Sequence, residues 1–457
     1  MNTLLIDFGS TFTKVTAVDR QKAEIIGRAQ DFTTVDTDIQ IGLNNALEKM
    51  GARLEDFSEF YACSSAAGGL KMMVSGLVSD LTAKAARIAA LGAGAKVVHT
   101  FSHELIEEDL EEIKRIKPDI FLLCGGTDGG NRSCIEHNAK MLATLQPQFP
   151  IIYAGNRAAQ ATCKEQLKEW DVSICKNIMP TLDTLEIEEV QKVIRNCFIR
   201  RIVEAKGLST VNQLLGSIAM PTPSAVLQAL HLFSKGTKEI PGMGELVAVD
   251  LGGATTDVYS IAKGAPSQNN VIYKGIQEPE EKRTVEGDLG MRYSMHGIVE
   301  AVGLDEIVER SGLSEEEIID MLTILDEDKS IVPADERWEA LDFALASSAV
   351  SVAVGRHAGE WEEVYTPVGL QYAQTGKDLR DVPNMVVTGG ALLQSNRLDD
   401  LLSYSYYDPM NPYHLRPQVK DLWVDQHYIL SAMGVLADHD PDVAMEIMKK
   451  EILNVKH

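Results

Sequence analysis

Residues 245–258 read Glu245-Leu246-Val247-Ala248-Val249-Asp250-Leu251-Gly252-Gly253-Ala254-Thr255-Thr256-Asp257-Val258. An apolar run that ends on an acid and breaks into Gly and Thr reads as a buried strand followed by its turn. The chain opens on the same pattern, Thr3-Leu4-Leu5-Ile6-Asp7-Phe8-Gly9-Ser10-Thr11. The two copies stand more than half the chain apart, which predicts a duplicated domain rather than a short solenoid repeat.

The turn has a chemistry of its own. Glycines let backbone N–H groups approach phosphate oxygens and hydroxyls add further donors, so Gly9, Ser10 and Thr11 and, in the second copy, Gly252, Gly253, Ala254 and Thr255 are candidate phosphate-binding residues. A carboxylate beside a triphosphate repels it unless a divalent cation intervenes. Asp7 and Asp250 are therefore expected to hold Mg2+ through water between them. A single Asp-x-Gly-x-Thr turn is also what an ordinary strand end looks like; the second matched copy and a later Thr388-Gly389-Gly390-Ala391 favour the functional reading.

Between the copies, apolar and amphipathic segments alternate. Strands are expected at Lys96-Val97-Val98, Asp119 to Cys124, Pro150 to Ala154 and Val172 to Cys175, with helices over His103 to Lys117, near Asn131 to Leu145 and near Arg157 to Trp170. Such alternation predicts right-handed crossovers and a parallel sheet. Gly125-Gly126-Thr127-Asp128-Gly129-Gly130-Asn131 follows one of these strands. It could hold a phosphate, contact a partner as a mobile loop, or supply turn glycines with Asn131 capping the next helix. Beyond the second acid loop, Gly264 to Asn270 suggests a hairpin turn, residues 298–362 read as mostly helical, and Ser314 with Glu317 has capping-box spacing.

Composition narrows the function. The chain has 457 residues, with 43 Lys+Arg against 67 Asp+Glu and a formal net charge of −24. No basic stripe exists to neutralise a phosphodiester backbone, so no nucleic-acid partner is expected. The first residues have no basic n-region and no apolar run approaches the roughly 18 residues of a spanning helix, so no membrane is expected and a cytoplasmic location is. The six cysteines include no C-x-x-C pair, which predicts buried reduced thiols rather than a zinc or iron–sulfur site. The acidic helix around Glu104 to Glu112 reads as a solvated face, and His99, His103 and His137 lack metal spacing.

The order of Asp7-Phe8-Gly9-Ser10, Asp250-Leu251-Gly252-Gly253-Ala254-Thr255 and Thr388-Gly389-Gly390-Ala391 resembles the two phosphate motifs and the adenosine motif of the actin, sugar kinase and heat-shock chaperone ATPase superfamily. Pro223-Ser224-Ala225-Val226 and Ser431-Ala432-Met433-Gly434-Val435-Leu436 resemble its two connecting helices, with small residues where these cross at the hinge. The implied fold class is α/β, with two duplicated actin-like ATPase lobes of the RNase H type and an inserted parallel α/β domain. The expected division is 1–70 for the first part of the first lobe, 71–205 for the insertion, 206–245 for the first-lobe return and connecting helix, 246–440 for the second lobe, and 441–457 for a C-terminal helix.

The resemblance also assigns residues. Lys14, seven after Asp7, sits where actin-like members place a phosphate-contacting lysine; as a bare residue it could equally edge a strand. Asp257, seven after Asp250, resembles the polar position that places the attacking water, though it could also cap a strand. Gly389 and Gly390 would border the adenosine. Chaperone members carry an acid just before the Pro of the first connecting helix, where this chain has Thr222. Loss of that acid implies slow hydrolysis.

Within the superfamily, the stretches Leu4 to Lys14, Cys124 to Asn131 and Glu286-Gly287-Asp288-Leu289-Gly290-Met291-Arg292 are most similar to the accessory, reactivating protein family of the adenosylcobalamin-dependent glutamate mutase. The resemblance implies a slow Mg-dependent ATPase, with ATP and Mg2+ as cofactors. Its partner would be an adenosylcobalamin-dependent amino-acid mutase, from which it would exchange damaged for intact cobalamin. No Asp-x-His-x-x-Gly motif is present, so contact with the partner protein is expected rather than with cobalamin. A small-molecule kinase of the same superfamily is the alternative, and a filament protein a more distant one.

Overall fold

The computed structural model describes residues 2–9, 11–34, 39–65, 71–205, 218–333, 335–367 and 369–455. The chain divides into two compact units. The first comprises residues 1–232, 275–277 and 429–447; the second comprises 233–274, 278–428 and 448–457.

In the first unit, β1 (Asn2–Phe8), β2 (Phe12–Asp19) and β3 (Glu24–Phe32) form an antiparallel meander, and β4 (Glu59–Ser64) pairs parallel with β1. The β1 residues alternate between two faces. Leu4, Ile6 and Phe8 pack with Val15 and with Ile39, Leu43, Ala46 and Leu47 of the helix Ile39–Met50. That period of two turns Leu5 and Asp7 to the opposite face.

The chain then builds a second sheet from β5 (Lys71–Gly76), β6 (Lys96–Ser102), β7 (Ile120–Leu123), β8 (Ile151–Tyr153) and β9 (Val172–Ile174). All its pairings are parallel, in the order β6-β5-β7-β8-β9. Met73, Phe121 and Leu123 face a cluster with Leu110, Ile113 and Ile135, while Met72, Val74 and Leu122 face Ala86, Ala89, Ala90, Val190 and Ile194. Burial on both faces is what an all-parallel sheet requires. This is the inserted α/β domain. The helices Glu107–Ile116, Ser133–Leu142 and Gln160–Gln166 fall inside the predicted segments. After the insertion, β10 (Ile218–Pro221) returns to pair with β4, completing the order β10-β4-β1-β2-β3.

The second unit repeats that design. β11 (Leu246–Leu251) and β12 (Thr256–Ile261) form a hairpin; β13 (Val271–Tyr273) follows, and β14 (Glu281–Glu286) pairs antiparallel with β12. The Gly264 to Asn270 segment is thus not a tight hairpin. β13 leaves for a three-stranded sheet with β15 (Glu360–Thr366) and β16 (Gly369–Thr375), and β14 makes the return. β17 (Asn384–Thr388) pairs parallel with β11 and β18 (Asp421–Val424) with β17; β19 (Leu453–Asn454) closes the edge after the helix Pro441–Glu451. Strand order β14-β12-β11-β17-β18 has the same sequence and the same polarities as β3-β2-β1-β4-β10. The duplication read from the two acid loops is therefore one of topology, and the fold is a pair of actin-like lobes of the RNase H type.

Between β14 and β15 the chain is helical, as expected, with helices Met295–Val302, Leu304–Ser311, Glu315–Glu327 and Glu336–His357. Ser314 and Glu317 form the anticipated capping box. The six cysteines are all free and buried. No described helix is long and apolar enough to cross a membrane.

Candidate functional site: two matched sheet edges

Each lobe carries a row of side chains across the end of its sheet, placed by strand register. In the first, Asp7 of β1 lies opposite Lys14 of β2 and Cys63 of β4. In the second, Asp250 of β11 lies opposite Asp257 of β12 and Thr388 of β17. Lys14 and Asp257 thus occupy the same place in the two copies. The turns match as well: Gly9 N–H donates to Phe12 O at 3.0 Å and Gly252 N–H to Thr255 O at 2.9 Å. A Cβ on Gly9 would lie 2.5 Å from Phe12 O, so this turn admits only glycine. Thr11 is exposed beside it, while Ser10 lies outside the described residues.

Asp7 is buried, 4% exposed, and both carboxylate oxygens accept hydrogen bonds. Thr222 Oγ1 donates to Oδ1 at 2.6 Å and Ser431 Oγ to Oδ2 at 2.8 Å, with the Cys63 thiol 3.5 Å from Oδ1. Burial, then the neighbouring Asp7 charge, pushes the Cys63 thiol well up, so it remains protonated. Thr222 begins the helix Thr222–Lys235, and Ser431 stands in the first turn of Leu430–Ala437. These are the two segments that resemble the connecting helices. They cross tightly: a Cβ on Gly434 would sit 1.8 Å from Ala225 O. The Thr222 position that lacks the family's acid is thus occupied by a hydroxyl that binds Asp7.

In the second lobe, Gly253 and Ala254 are exposed and Thr255 half-buried. The loop is buttressed by the Glu286 to Arg292 motif. Gly252 O accepts from Met291 N at 3.1 Å, and Gly253 O accepts from Arg292 N at 2.9 Å and Tyr293 N at 2.8 Å. Arg292 is in turn held by Asp342 at 2.8 Å. Asp257 is engaged by Arg283, whose buried guanidinium approaches to 2.6 Å, and by Thr255 Oγ1 at 3.3 Å. Gly389, with φ +103°, presses its Cα onto Leu251, where a Cβ would meet Leu251 O at 2.3 Å. The segment that resembles the adenosine motif therefore abuts the Asp250 loop by backbone packing, with Gly390 opening the helix Gly390–Leu393.

The Gly125 to Asn131 loop is clamped. Asn156 Nδ2 donates to Gly130 O and Asn131 O at 3.1 and 3.0 Å, Asn177 Nδ2 to Gly126 O at 3.0 Å, and Asn131 Oδ1 accepts from Cys134 N at 3.2 Å. Of the three readings left open by the sequence, this geometry matches turn glycines with a capping Asn131.

The strand-end acid at each edge offers hard oxygen donors, which suit Mg2+, whereas the neighbouring Cys63 thiol does not. Among the described residues no group of three His, Cys, Asp or Glu side chains could hold a metal by itself. A cation here would draw on one or two carboxylates with water and phosphate completing its shell, the usual habit of magnesium. Sequence reasoning missed Cys63, Ser431 and Arg283 as parts of these rows. Their spacing from the acids carries no signal, because strand pairing and, for Ser431, the start of the helix Leu430–Ala437 bring them together.

The model of the family described as MutL protein matches residues 3–452. The chain belongs to that family. A curated MutL protein from Clostridium tetanomorphum is 44% identical over 458 residues, covering 99% of each chain. This agrees with the family that the sequence motifs resemble. Solved structures align more distantly. An acetone carboxylase in its nucleotide-free form has TM-score 0.42 at 13% identity, covering 95% of this chain and 70% of that one. A glycerol dehydratase reactivase has TM-score 0.36 at 9% identity, covering 96% and 99%. The activator of 2-hydroxyisocaproyl-CoA dehydratase from Clostridium difficile, with bound ADPNP, has TM-score 0.32 at 12% identity, covering both chains fully.

Proposed function

We propose that this MutL-family chain is an ATP-dependent, chaperone-like reactivating factor for an adenosylcobalamin-dependent amino-acid mutase of the glutamate mutase type, exchanging damaged for intact cobalamin. The observation that carries the reading is the Asp7 carboxylate, bound at once by the first residue of one connecting helix and by a serine of the other. A change in charge beside Asp7 is felt directly by both helices. That arrangement serves a factor whose output is a conformational change.

The Asp7 and Asp250 loops would serve as the phosphate loops, Lys14 would contact phosphate, and Gly389 and Gly390 would border the adenosine. Mg2+, held through Asp7 and Asp250, would offset the charge between carboxylates and phosphates. Thr222 Oγ1 donates to Asp7, and a hydroxyl is a far weaker base than a carboxylate, so hydrolysis would be slow. The inserted domain would grip the mutase, and its affinity would follow nucleotide state. The kinase alternative needs a free acid or base. No residue of the sequence singles itself out for that job, and Asp288 is paired with Arg356 at 3.1 Å.

The test is phosphate release from Mg-ATP by the purified protein, alone and with a cobalamin-dependent amino-acid mutase inactivated by turnover. Slow basal hydrolysis, with mutase activity restored only when ATP and free adenosylcobalamin are both present, is the expected result. Rapid ATP consumption dependent on a small metabolite, without rescue, would make the protein a kinase.

A further inference from the structure

The three-stranded sheet of the second unit has the order β13-β16-β15, which leaves β15 as an edge. Its first residues are covered. Trp361 N–H donates to Tyr413 O at 2.9 Å and Leu415 N–H to Gly359 O at 3.0 Å, on either side of the antiparallel bridge between Glu360 and His414. Trp361 N–H thus points away from β16, and the period of two turns the main-chain groups of Glu363 and Tyr365 the same way. The covering segment leaves at a turn in which Asn411 N–H donates to Asp408 O at 3.0 Å. Beyond it, nothing among the described residues pairs with the outward N–H or C=O groups of Glu363 and Tyr365. An open edge of this kind is a template for another strand.

The side chains say what kind of strand it takes. Directly paired residues share a face, so Trp361, Glu363 and Tyr365 lie with Leu370 and Tyr372 on one side of the sheet. Trp361 and Tyr372 stack with ring centroids 5.2 Å apart, Tyr372 and Tyr413 follow at 6.2 Å, and Tyr413 Oη donates to Glu363 Oε1 at 2.6 Å. Tyr365 is 81% exposed and Leu370, opposite it, 41%. Exposed aromatic and apolar side chains gathered in one place mark an interaction surface. The strand is also acidic, with Glu360, Glu362 and Glu363 along it. Among the described residues only Glu362 of these three has a cationic partner, Lys274 at 3.0 Å, in a pair so exposed that it is worth little.

A second copy of the chain is a poor occupant, because joining two β15 edges gathers the glutamates of both along one seam. A cationic strand is a good one. If it continues the antiparallel sense of the Glu360 to His414 bridge, its residues opposite Tyr365, Val364, Glu363 and Glu362 are best apolar, apolar, basic and basic in turn. We infer that the β15 edge receives an extended segment of a partner protein by strand addition, and that this segment carries two apolar residues followed by two Lys or Arg residues. The inference goes beyond the nucleotide reading and does not depend on it.

The experiment is titration of the full-length protein with a fluorescent, end-blocked hexapeptide, Thr-Tyr-Val-Lys-Arg-Thr, and with its counterpart carrying Glu at both basic positions. Binding is followed by anisotropy and by amide hydrogen exchange. The basic peptide should bind at least about 10-fold more tightly than the acidic one. It should also slow exchange at the Glu363 and Tyr365 amides and leave that of Trp361, already bonded, unchanged. Glu363→Pro removes an outward N–H that no ladder bond uses, a change an edge strand tolerates, and should weaken binding at least about 10-fold. Should that variant fail to fold, the double variant Glu362→Lys with Glu363→Lys decides, since it should reverse the preference between the two peptides. Equal affinity for the two peptides, no binding of the basic one at about 1 mM, undiminished binding to folded Glu363→Pro, or binding that protects neither amide would overturn the inference. Self-association of the protein alone, with both amides already protected, would also overturn it by making the occupant a second copy.

Discussion

The hydroxyl of Thr222 donates to Asp7 Oδ1 across 2.6 Å, joining residues 215 positions apart in the chain. Ser431 does the same for Oδ2 from the other connecting segment. Hydrogen bonds to a charged, buried acceptor are worth about 1.5–3 kcal/mol each. Thr222→Val and Ser431→Ala should each lower the unfolding free energy by about 1–3 kcal/mol, read as a shift in urea midpoint at constant slope. Because both donors serve one carboxylate, the double variant should lose more than the sum. Additive losses would mean that the two hydroxyls act independently of Asp7.

The crossing of the connecting helices gives a sharper steric expectation. A methyl on Gly434 would lie 1.8 Å from Ala225 O and 2.5 Å from its carbonyl carbon. Backbone atoms cannot rotate away as a side chain can. Gly434→Ala should therefore cost at least the ~1–3 kcal/mol typical of overpacking, and Ala225→Gly should fail to restore it, since the clash is with main chain. Thermal melting of the single and double variants checks both halves.

These two contacts mark how far the sequence could be read. The acid loops were visible because strand-then-Gly chemistry is local, and both connecting helices could be placed by resemblance because small residues at a crossing are local too. The rows were not visible. Cys63, Thr222 and Ser431 meet Asp7 because parallel pairing and two helix starts converge there, and pairing partners leave no trace in spacing. The strand Lys71–Gly76, an interior strand of the inserted sheet, escaped for another reason: a fully buried parallel strand shows no alternation, and its short apolar core of Met72, Met73 and Val74 gives little length to judge by. β3 was hidden by the opposite property, with exposed and half-buried residues alternating along all nine positions.

A buried basic cluster in the second unit predicts a pH-dependent stability. Lys377, 1% exposed, places Nζ 3.1 Å from Ser260 Oγ and 2.7 Å from Glu280 O. Burial, with the neighbouring Lys282 adding to it, pulls its ammonium down to about 7, against the opposing pull of Glu278, Glu280 and Glu245. His357, bonded through Nε2 to the same Ser260 at 2.8 Å, is held neutral by burial and by both lysines. In the unfolded chain a lysine keeps its proton to about 10.4. Between pH 7 and that value the unfolded state binds more protons, so this residue makes stability rise with pH, by at most about 1.4 kcal/mol per unit, and contributes no slope below pH 7. Subtracting the stability curve of Lys377→Met from that of the original between pH 6 and 9.5 should give a line flat to pH 7 and rising beyond it. A difference curve flat throughout would show that Lys377 stays charged in the fold.

The role of Asp257 can be separated from its ion pair. Arg283 and Asp257 approach to 2.6 Å with side chains only 5% and 13% exposed. Removing the acid alone strands a buried guanidinium, which typically costs 3–5 kcal/mol. Asp257→Ala should therefore be poorly stable whether or not the carboxylate places a water, and loss of ATP turnover in it would prove little. Replacing both partners by apolar residues of similar volume, Asp257→Leu with Arg283→Met, is often near neutral for a buried pair, so the double variant should recover most of the urea midpoint. If Asp257 serves the reaction, the refolded double variant should still bind Mg-ADP and show a turnover at least 10-fold below the original. If the pair is purely structural, turnover should return with the fold, and the water-placing role would pass to another residue of the Asp250 row.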